Sequence, residues 1–294
     1  MQTETSRPEL LREIEAAEPH LSKGHRHIAE YIIEHYDKAA YMTAARLGQT
    51  VGVSESTVVR FADEMGFDGY PELQHSLREI VRNKLTTLQR IEITNDRIGS
   101  GDILDRVVCA DIDKIRRTLE RIDHDHFKSA VNAIVNAEHI YIIGMRSSSS
   151  LASFLSFYFN LIFNNVKHVS NTGGSEVFEQ IMRISKRDVM IGISFPRYSK
   201  RAINAIEYAK SQGAYIVSVT DSNISPIAAL ADSLLLAESD MASFVDSLVA
   251  PLSIINAIIV AAGMSKKDEI SATFRRLEEI WDKYDVYQKV TDGE

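Results

Sequence analysis

The chain has 294 residues and a formal net charge of −8, from 33 lysines and arginines against 41 aspartates and glutamates. Because single hydrophobic cores stop growing near ~250–300 residues, this length predicts about two domains. The composition, 45% hydrophobic and 25% charged, is that of a folded globular protein and excludes disordered and fibrous classes. The acidic total argues against a protein that coats nucleic acid non-specifically. It permits a small DNA-reading surface, since attraction to phosphate depends on where the cations lie.

A single cysteine, Cys109, excludes an internal disulfide framework and is typical of a reducing compartment. Residues 1–10 lack the apolar stretch of a signal peptide. The most apolar segment, Leu248–Met264, is shorter than a membrane span and contains Pro251, which indicates a buried helix. We therefore expect a cytoplasmic protein that does not enter a membrane.

The pattern of residues 9–84 is helical, because apolar side chains recur at spacings of three and four residues and no segment alternates as a strand does. We expect an all-α domain over residues 1–84. Residues 85–125 are expected to form a linker, over Leu85–Gly101, and a helix.

Two helical patterns follow the linker, at Asp102–Arg121 and His126–Ala137. Each is preceded or opened by an aspartate, the residue type that accepts hydrogen bonds from the free N–H groups of a first turn. Asp102 and Asp125 are therefore the expected N-caps.

After Ala137, short apolar, β-branched runs alternate with helical segments. Strands that are apolar on both faces and are joined by helical crossovers indicate a parallel sheet. The sequence therefore predicts an α/β domain with five parallel strands over residues 126–266 and a C-terminal helix within 267–294. The expected strands are His139–Ile143, Val166–Val169, Val189–Ser194, Tyr215–Thr220 and Ser233–Leu236, and the expected helices are Ser148–Phe163, Ser199–Gln212, Met241–Met264 and Phe274–Tyr287.

The strongest local pattern lies at Ala44–Asp63 and indicates a helix-turn-helix. Gly48 is small enough to let the second helix approach the first, and Gly52 supplies the positive φ of the turn. Ser54 is the expected N-cap of the second helix, which Gly66 ends in the left-handed conformation. The side chains expected to face inward are Leu47, Val51, Val58 and Phe61.

The first turns of the second helix decide what this motif does. The N-terminal residues of a recognition helix reach base edges in the major groove. Hydroxyl groups bond to phosphates or bases, and arginine pairs with guanine. We therefore predict double-stranded operator DNA as a partner, against the alternative of a small helical bundle with a structural role. The expected contact residues are Arg46, Ser54, Glu55, Ser56, Thr57 and Arg60.

The first 84 residues carry ten cations and fourteen acids, so this domain has a net charge of −4. DNA binding must then depend on a local cluster, for which the candidates are Lys23, Arg26, Arg46 and Arg60. A homodimer or higher homo-oligomer would double the cluster and match a symmetric or repeated DNA site. The binding is expected to be salt-sensitive.

Four stretches of the helical half closely resemble the N-terminal domain of RpiR-type bacterial transcriptional regulators. They are Leu21–Lys23 with His27–Tyr31, Ala44–Leu47, Val53–Phe61 and Gly66–Leu73. The resemblance implies a C-terminal SIS (sugar isomerase) domain, a five-stranded flavodoxin-like parallel sheet that binds phosphosugars. It also implies a regulator of carbohydrate metabolism.

Three polar loops follow predicted strands, at residues 144–148, 194–199 and 220–226. Ligands of open α/β sheets bind at the carboxyl ends of the strands, and helix N-termini with hydroxyl and arginine side chains suit an anion. We therefore expect a small anionic effector here. The expected contact residues are Arg146, Ser147, Ser148, Ser194, Arg197, Ser199 and Glu176.

The resemblance makes Ser148 the serine of a Gly-x-Gly-x-Ser loop, with Arg146 in place of the second glycine. Ser194 and Ser199 match the outer residues of a Ser-x-Ser-Gly-x-Thr phosphate loop, whose centre is changed to Pro196-Arg197. The two arginines are expected to hold a phosphosugar or a sugar acid. The alternatives are that they pair with carboxylates or with a partner subunit, and that Glu176 is an ordinary acid of a first helical turn.

The competing function is a phosphosugar isomerase or another SIS-fold enzyme. Such a reaction needs a general base near the substrate carbon, and no His or Glu takes an obvious catalytic position, although Glu176 and Glu238 stay open. No metal-ligand spacing and no phosphate-binding glycine motif for nucleotides occurs. We expect no catalytic residues, no metal and no cofactor.

Overall fold

A computed structural model describes residues 8–82, 102–170, 176–240 and 245–287 of the chain. The chain divides into two compact units, one helical and one α/β, with the division between Gly101 and Asp102. Each unit has its own buried apolar core.

The described part of the helical unit contains α-helices and a short 3-10 helix, Glu18–His20, which confirms the all-α prediction. Its buried side chains recur at helical spacing and include Ile28, Ile32, Leu47 and Phe61. The α-helices are Glu9–Ala17 (α1), Lys23–Ala39 (α2), Ala44–Val51 (α3), Glu55–Glu64 (α4) and Tyr70–Arg82 (α5).

Hydroxyl groups set the starts of three of these helices. Ser22, Thr43 and Ser54 precede α2, α3 and α4, and each side chain accepts a hydrogen bond from the backbone N–H three residues later. This contact satisfies one of the N–H groups that a first helical turn leaves without a partner.

The α/β unit alternates helices and strands as predicted. Its first two helices precede the sheet, and its last two follow it. In chain order the elements are Ile103–Arg121 (α6), His124–Asn136 (α7), Ile140–Gly144 (β1), Ser148–Ile162 (α8), Val166–Val169 (β2), Glu176–Ile181 (α9), Val189–Ile193 (β3), Lys200–Ser211 (α10), Tyr215–Thr220 (β4), Ser233–Leu236 (β5), Val249–Ser265 (α11) and Lys267–Lys283 (α12).

The five strands form one parallel sheet in the order β2-β1-β3-β4-β5. This is the flavodoxin-like order, and it confirms the predicted fold class. In the register, Gly144 lies beside Ile193 and Thr220 beside Leu236. The carboxyl ends of β1, β3, β4 and β5 therefore meet along one edge of the sheet.

Helices cover both faces of the sheet, as the continuous apolar strands require. On one face, Ile140 and Ile142 pack with side chains of α7, α8 and α11, among them Phe159. On the other face, Tyr141 and Ile143 pack with side chains of α9 and α10.

Polar contacts hold helix α6 against the rest of this unit. Lys114 is buried and contacts Asp111 at 3.2 Å, and Asp111 accepts a hydrogen bond of 2.7 Å from Ser247. The hydroxyl oxygen of Thr118 accepts a hydrogen bond of 2.9 Å from the backbone N–H of Glu238. These contacts fix which side of α6 faces the α/β core.

One predicted helix cap is wrong. Asp102 caps α6, since its side chain accepts from the N–H of Leu104 at 2.8 Å. Helix α7, however, is capped by Asp123 and not by Asp125, because Asp123 accepts from the N–H groups of Asp125 and His126. These two hydrogen bonds lower the pKa of Asp123. Asp125 lies in the first turn, where a negative charge is also favourable.

Two predicted helix boundaries also differ from the structure. Helix α11 begins at Val249 rather than at Met241. Ser239 donates to the carbonyl of Ser247, and Ser247 donates to Asp111, and these bonds hold residues 245–248 out of the helix. Helix α12 begins at Lys267 rather than at Phe274. The predicted linker, Leu85–Gly101, lies entirely outside the described residues.

Among the described helices, none alone is long and apolar enough to span a membrane. The pair α11 and α12 meets that test only when taken together, and the two are bent by 97° relative to each other.

Candidate functional site

The helical unit contains the predicted helix-turn-helix, formed by α3 and α4. Gly52 has a φ of +76°, and its N–H and that of Val53 both bond to the carbonyl of Gly48. A Cβ on Gly48 would lie 2.8 Å from the carbonyl oxygen of Val53, so no larger residue fits there. The turn therefore depends on both glycines, as the sequence predicts.

The first turns of α4 bring most of the predicted DNA-contact residues together. Ser54, Glu55, Ser56 and Arg60 are exposed, and Thr57 is half-buried. The Ser54 hydroxyl lies 2.9 Å from that of Ser56 and 2.8 Å from that of Thr57. This gives a row of short polar groups beside one long cation.

Arg60 and Arg46 are exposed cations on α4 and α3. The Nε of Arg60 donates to the carbonyl of Ser56 at 3.3 Å, so the guanidinium lies along the exposed side of α4. Arg46 is exposed in the first turn of α3. Both positions suit a contact with DNA phosphate or base edges.

The other two candidate cations differ from each other. Lys23 is exposed and precedes Gly24, where a Cβ would lie 3.4 Å from the side chain of Thr57, so this end of α2 adjoins the start of α4. Arg26 instead contacts Glu18 at 3.6 Å and donates to the carbonyl of Pro19. Arg26 therefore stabilises the α1–α2 connection.

Sequence reasoning missed one residue of this surface, Val59. Its side chain is 37% exposed on α4, between the buried Val58 and the exposed Arg60. An exposed apolar group at this place can contact the methyl group of thymine. A helical projection of residues 55–64 would have found it.

Helix α5 holds the connection that leads into α3. The Tyr70 hydroxyl donates to the carbonyl of Met42 at 2.9 Å, and Arg78 donates to the carbonyl of Ala40 at 3.0 Å. Gln74 also donates to Met42. Burial raises the pKa of Tyr70 well above its ordinary value, so the phenol stays protonated.

In the α/β unit, the three predicted loops lie along the carboxyl edge of adjacent strands. The loop after β1 leads into α8, the loop after β3 leads into α10, and the loop after β4 returns to β5. Neither α8 nor α10 has an acidic residue in its first turn. Their N-terminal N–H groups can therefore face an anion.

The loop after β1 is tightly folded around Gly144. A Cβ there would collide with the carbonyl oxygen of Ser148, so the family's first glycine is structurally required. Arg146 is exposed and has a φ of +57°, so it keeps the conformation of the glycine that it replaces. Ser147 is exposed, and Ser148 is buried at the start of α8.

The loop after β3 places two hydroxyls around an exposed cation. Ser194 is buried, and its N–H donates to the carbonyl of Val219 at 3.1 Å. Pro196 is buried, while Arg197 is exposed. Ser199 precedes α10 without capping it through its side chain, so its hydroxyl is not used by the helix.

The loop after β4 contacts the loop after β3. The Tyr198 hydroxyl donates to the carboxylate of Asp221 at 3.0 Å, and the Thr220 hydroxyl donates to the same oxygen at 3.2 Å. Asp221 and Ser225 are buried. Sequence reasoning named this loop but missed the pair Tyr198–Asp221, because only the fold brings these residues together.

The two glutamates that stayed open as acid–base candidates occupy different places. Glu176 is half-buried in the first turn of α9, directly after residues 171–175, which lie outside the described ranges. Glu238 follows β5 and is 5% exposed, with its carboxylate paired to Arg121 and 3.9 Å from Arg117. Glu238 is thus neutralised by two arginines of α6. No group of three or more His, Cys, Asp or Glu side chains suited to a metal ion occurs in the described ranges.

Comparison with protein families assigns both units. The family described as "Helix-turn-helix domain, rpiR family" matches residues 8–84, and the SIS domain family matches residues 133–261. The two matches correspond to the helical unit and to the sheet with its flanking helices.

Two curated relatives match most of the chain. A helix-turn-helix transcriptional regulator of Clostridium perfringens is 24% identical over 76% of this chain and 79% of its own length. A second such regulator, from Caldanaerobacter subterraneus, is 23% identical over 86% of this chain and 90% of its own.

Two solved structures share the fold. The sugar isomerase domain of an RpiR transcription factor from Sphaerobacter thermophilus superposes with a TM-score of 0.57 at 26% identity, over 59% of this chain and 97% of that one. The NanR protein of Vibrio vulnificus, complexed with ManNAc-6P, has a TM-score of 0.58 at 23% identity, over 94% and 98% of the two chains. The chain therefore combines a helix-turn-helix domain of the rpiR family with a SIS domain, and its relatives are helix-turn-helix transcriptional regulators.

Proposed function

We propose that the protein binds operator DNA as a homodimer in the bacterial cytoplasm, and that an anionic sugar on its SIS domain controls this binding. The regulated genes would belong to carbohydrate metabolism. The observation that carries the proposal is the pair of exposed arginines, Arg146 and Arg197, at two helix N-termini on one sheet edge, in a chain that also has a helix-turn-helix.

The DNA-binding half of the proposal rests on the polar row of Ser54, Ser56 and Thr57 on α4, together with the exposed cations Arg60 on α4 and Arg46 on α3. We define these five residues with Glu55 as the recognition surface. Because the domain is acidic overall, one copy offers few cations, and a symmetric dimer would present two such surfaces to two half-sites.

The effector half rests on the chemistry of the sheet edge. Ser148 and Ser194 are hydroxyl donors, Ser199 does not cap its helix, and the two arginines can each hold a phosphate or carboxylate. A phosphosugar is favoured because the similar NanR protein is complexed with ManNAc-6P. Glu176, at the start of α9, is the proposed contact to a sugar hydroxyl.

The proposal includes no catalysis. The buried acid at the end of β5, Glu238, is paired with Arg121 and Arg117 and so is a poor general base. The test is incubation with hexose phosphates and analysis of the products. Turnover by the wild type that disappears in a Glu176→Ala variant would show that the protein is an isomerase and would contradict the proposal.

A thermal-shift screen over ManNAc-6P, other sugar phosphates, polyol phosphates and sugar acids tests the effector site. A ligand at about 100 times its Kd should stabilise the chain by ~2.7 kcal/mol. Ser148→Ala and Arg197→Ala should each reduce the shift of any hit. A shift that survives both substitutions places the ligand elsewhere.

A further inference from the structure

Helix α6 has an exposed apolar stripe that nothing in the described part of the α/β unit covers. The stripe consists of Leu104, Val108, Ile112, Ile115 and Leu119, which are between 37% and 68% exposed. Spaced at three and four residues, they lie within about 80° of the helix circumference and extend over about 22 Å. A surface helix of a soluble protein normally turns such a stripe toward its own core.

The polar contacts of α6 prevent it from doing so. Lys114 and Thr118 face the α/β core, where Asp111 bonds to Ser247 and Thr118 bonds to the backbone of Glu238. The stripe lies about a quarter turn away from that side, at ~100° per residue. The helix is therefore anchored with its apolar side outward, which indicates an interface with another helix.

We propose that the stripe is the dimer interface, and that it pairs antiparallel with the same stripe of a second copy, with a two-fold axis at Ile112. Charge favours this occupant. Asp105 and Arg116 lie on the same exposed rim of the stripe, where Arg116 also contacts Asp113 of its own helix at 3.1 Å. An antiparallel pair brings Arg116 of one copy within one helical turn of Asp105 of the other, and the two-fold axis repeats this ion pair. A parallel pair would place the two rims on opposite sides.

The position of α6 in the chain gives a second reason. It is the first helix after the segment that leaves α5 at Arg82. Pairing two copies of α6 therefore joins the chains next to the segments that lead to both helix-turn-helix units. This step rests on the proposed function, in which two recognition surfaces read one symmetric site.

The oligomeric state tests the stripe directly. Light scattering of the full chain during gel filtration should show a dimer, and Ile112→Asp or Leu119→Lys should each weaken it by at least about 100-fold, or ~2.8 kcal/mol. Val286→Asp changes an apolar residue that is 54% exposed outside the stripe, and it should leave the dimer intact. Thermal melts show that each variant is folded.

Disulfide formation tests the antiparallel arrangement. In a Cys109→Ser background, which removes the single cysteine, Ile112→Cys should form a disulfide-linked dimer under mild oxidation. Leu104→Cys should not, because the antiparallel register separates the two copies of this residue by about 24 Å. Linkage at both positions would indicate a parallel pair.

A monomeric wild type, or a dimer that survives both stripe substitutions, overturns the interface. Loss of the dimer in Met264→Glu, an exposed apolar residue of α11, without loss in the stripe variants would place the interface on α11 instead. A dimer that survives the stripe substitutions, or that is lost in Met264→Glu, leaves the proposed function standing if the wild type still binds specific DNA. A monomeric wild type contradicts the homodimer of that function as well. Failure to bind specific DNA by an intact α6 dimer would contradict the function and not the interface.

Discussion

Arg146 has a backbone conformation that glycine adopts more easily. A side chain in the left-handed region costs roughly 1–2 kcal/mol, and Arg146, with a φ of +57°, carries this cost in the loop after β1. Strain and charge at one residue support the proposal that Arg146 binds the effector.

Replacing this arginine separates the conformational cost from the charge. Arg146→Gly should leave the free energy of unfolding within about 1 kcal/mol, because relief of the strain is offset by the greater freedom of the unfolded chain. The effector affinity should fall by roughly 10–150-fold, the value of a charged hydrogen bond. Thermal shifts and calorimetric titration measure the two effects.

Asp285 is the matched control, since it is the other non-glycine residue with a positive φ among the described residues. Asp285→Gly should relieve similar strain at the end of α12 and leave the effector affinity unchanged. Equal loss of affinity in both variants would assign the effect to the backbone and not to the charge of Arg146.

Arg60 and Arg26 differ in what they contact, and this predicts different effects on DNA binding. Arg60→Ala should weaken operator binding by about 1–3 kcal/mol, because this cation lies on the recognition surface. Arg26→Ala should mainly reduce stability, because Arg26 is paired with Glu18. Anisotropy titrations at several salt concentrations compare the DNA affinities of the two variants, and thermal melts compare their stabilities. Equal DNA affinities would contradict the assigned surface.

At the scale of elements, the turn between α3 and α4 depends on close backbone contact. Gly48→Ala should destabilise the helical unit by roughly 1–3 kcal/mol, since its Cβ would overlap the carbonyl of Val53. DNA affinity should fall with it, because α4 must shift. Gly24→Ala, whose Cβ would make only ordinary contacts, is the control and should be neutral. Chemical denaturation that shows no difference between them would contradict the close packing.

The contact of α5 with the loop before α3 predicts a dependence on alkaline pH. Burial raises the folded-state pKa of Tyr70, whereas the phenol ionises near ~10 in the unfolded chain. The stabilisation of the folded chain by Tyr70 is therefore fully present below about pH 10 and is lost as the pH rises above it. Tyr70→Phe should lower the free energy of unfolding by about 1 kcal/mol near neutral pH. The stability of this variant should then fall less at alkaline pH than that of the wild type.

Denaturation of the full chain between about pH 8 and about pH 11 measures this dependence. Tyr31 also has a raised pKa, mainly from burial, so some alkaline loss should remain in Tyr70→Phe. A variant as sensitive to alkali as the wild type would show that Tyr70 ionises freely.

The strands were predictable to within a residue, because runs such as Val189–Ile193 are apolar on both faces and fully buried. The helix-turn-helix was predictable because Gly48, Gly52 and Ser54 have local roles that only a few residue types can fill. Asp123 and Asp125 could not be separated, since either can cap a helix that begins near them. The polar anchoring of α6 could not be predicted, because the residues that bond to Thr118 and Asp111 follow more than a hundred residues later, at Glu238 and Ser247.

The proposed function requires that a sugar effector on the SIS domain changes the affinity of the helix-turn-helix for DNA. Such coupling requires the effector to bind the DNA-competent and DNA-incompetent states with different affinities. It is also reciprocal, so DNA must change the effector affinity by the same factor.

The most direct test titrates the full chain against a labelled DNA fragment that it enriches from genomic DNA, with and without ManNAc-6P or the best compound of the thermal-shift screen. We predict a change in DNA affinity of roughly 5–150-fold, in either direction, that disappears in Arg197→Ala while the affinity without effector is retained. An effector that binds the wild type and leaves its DNA affinity unchanged would contradict the claim. So would an Arg197→Ala variant that responds as the wild type does.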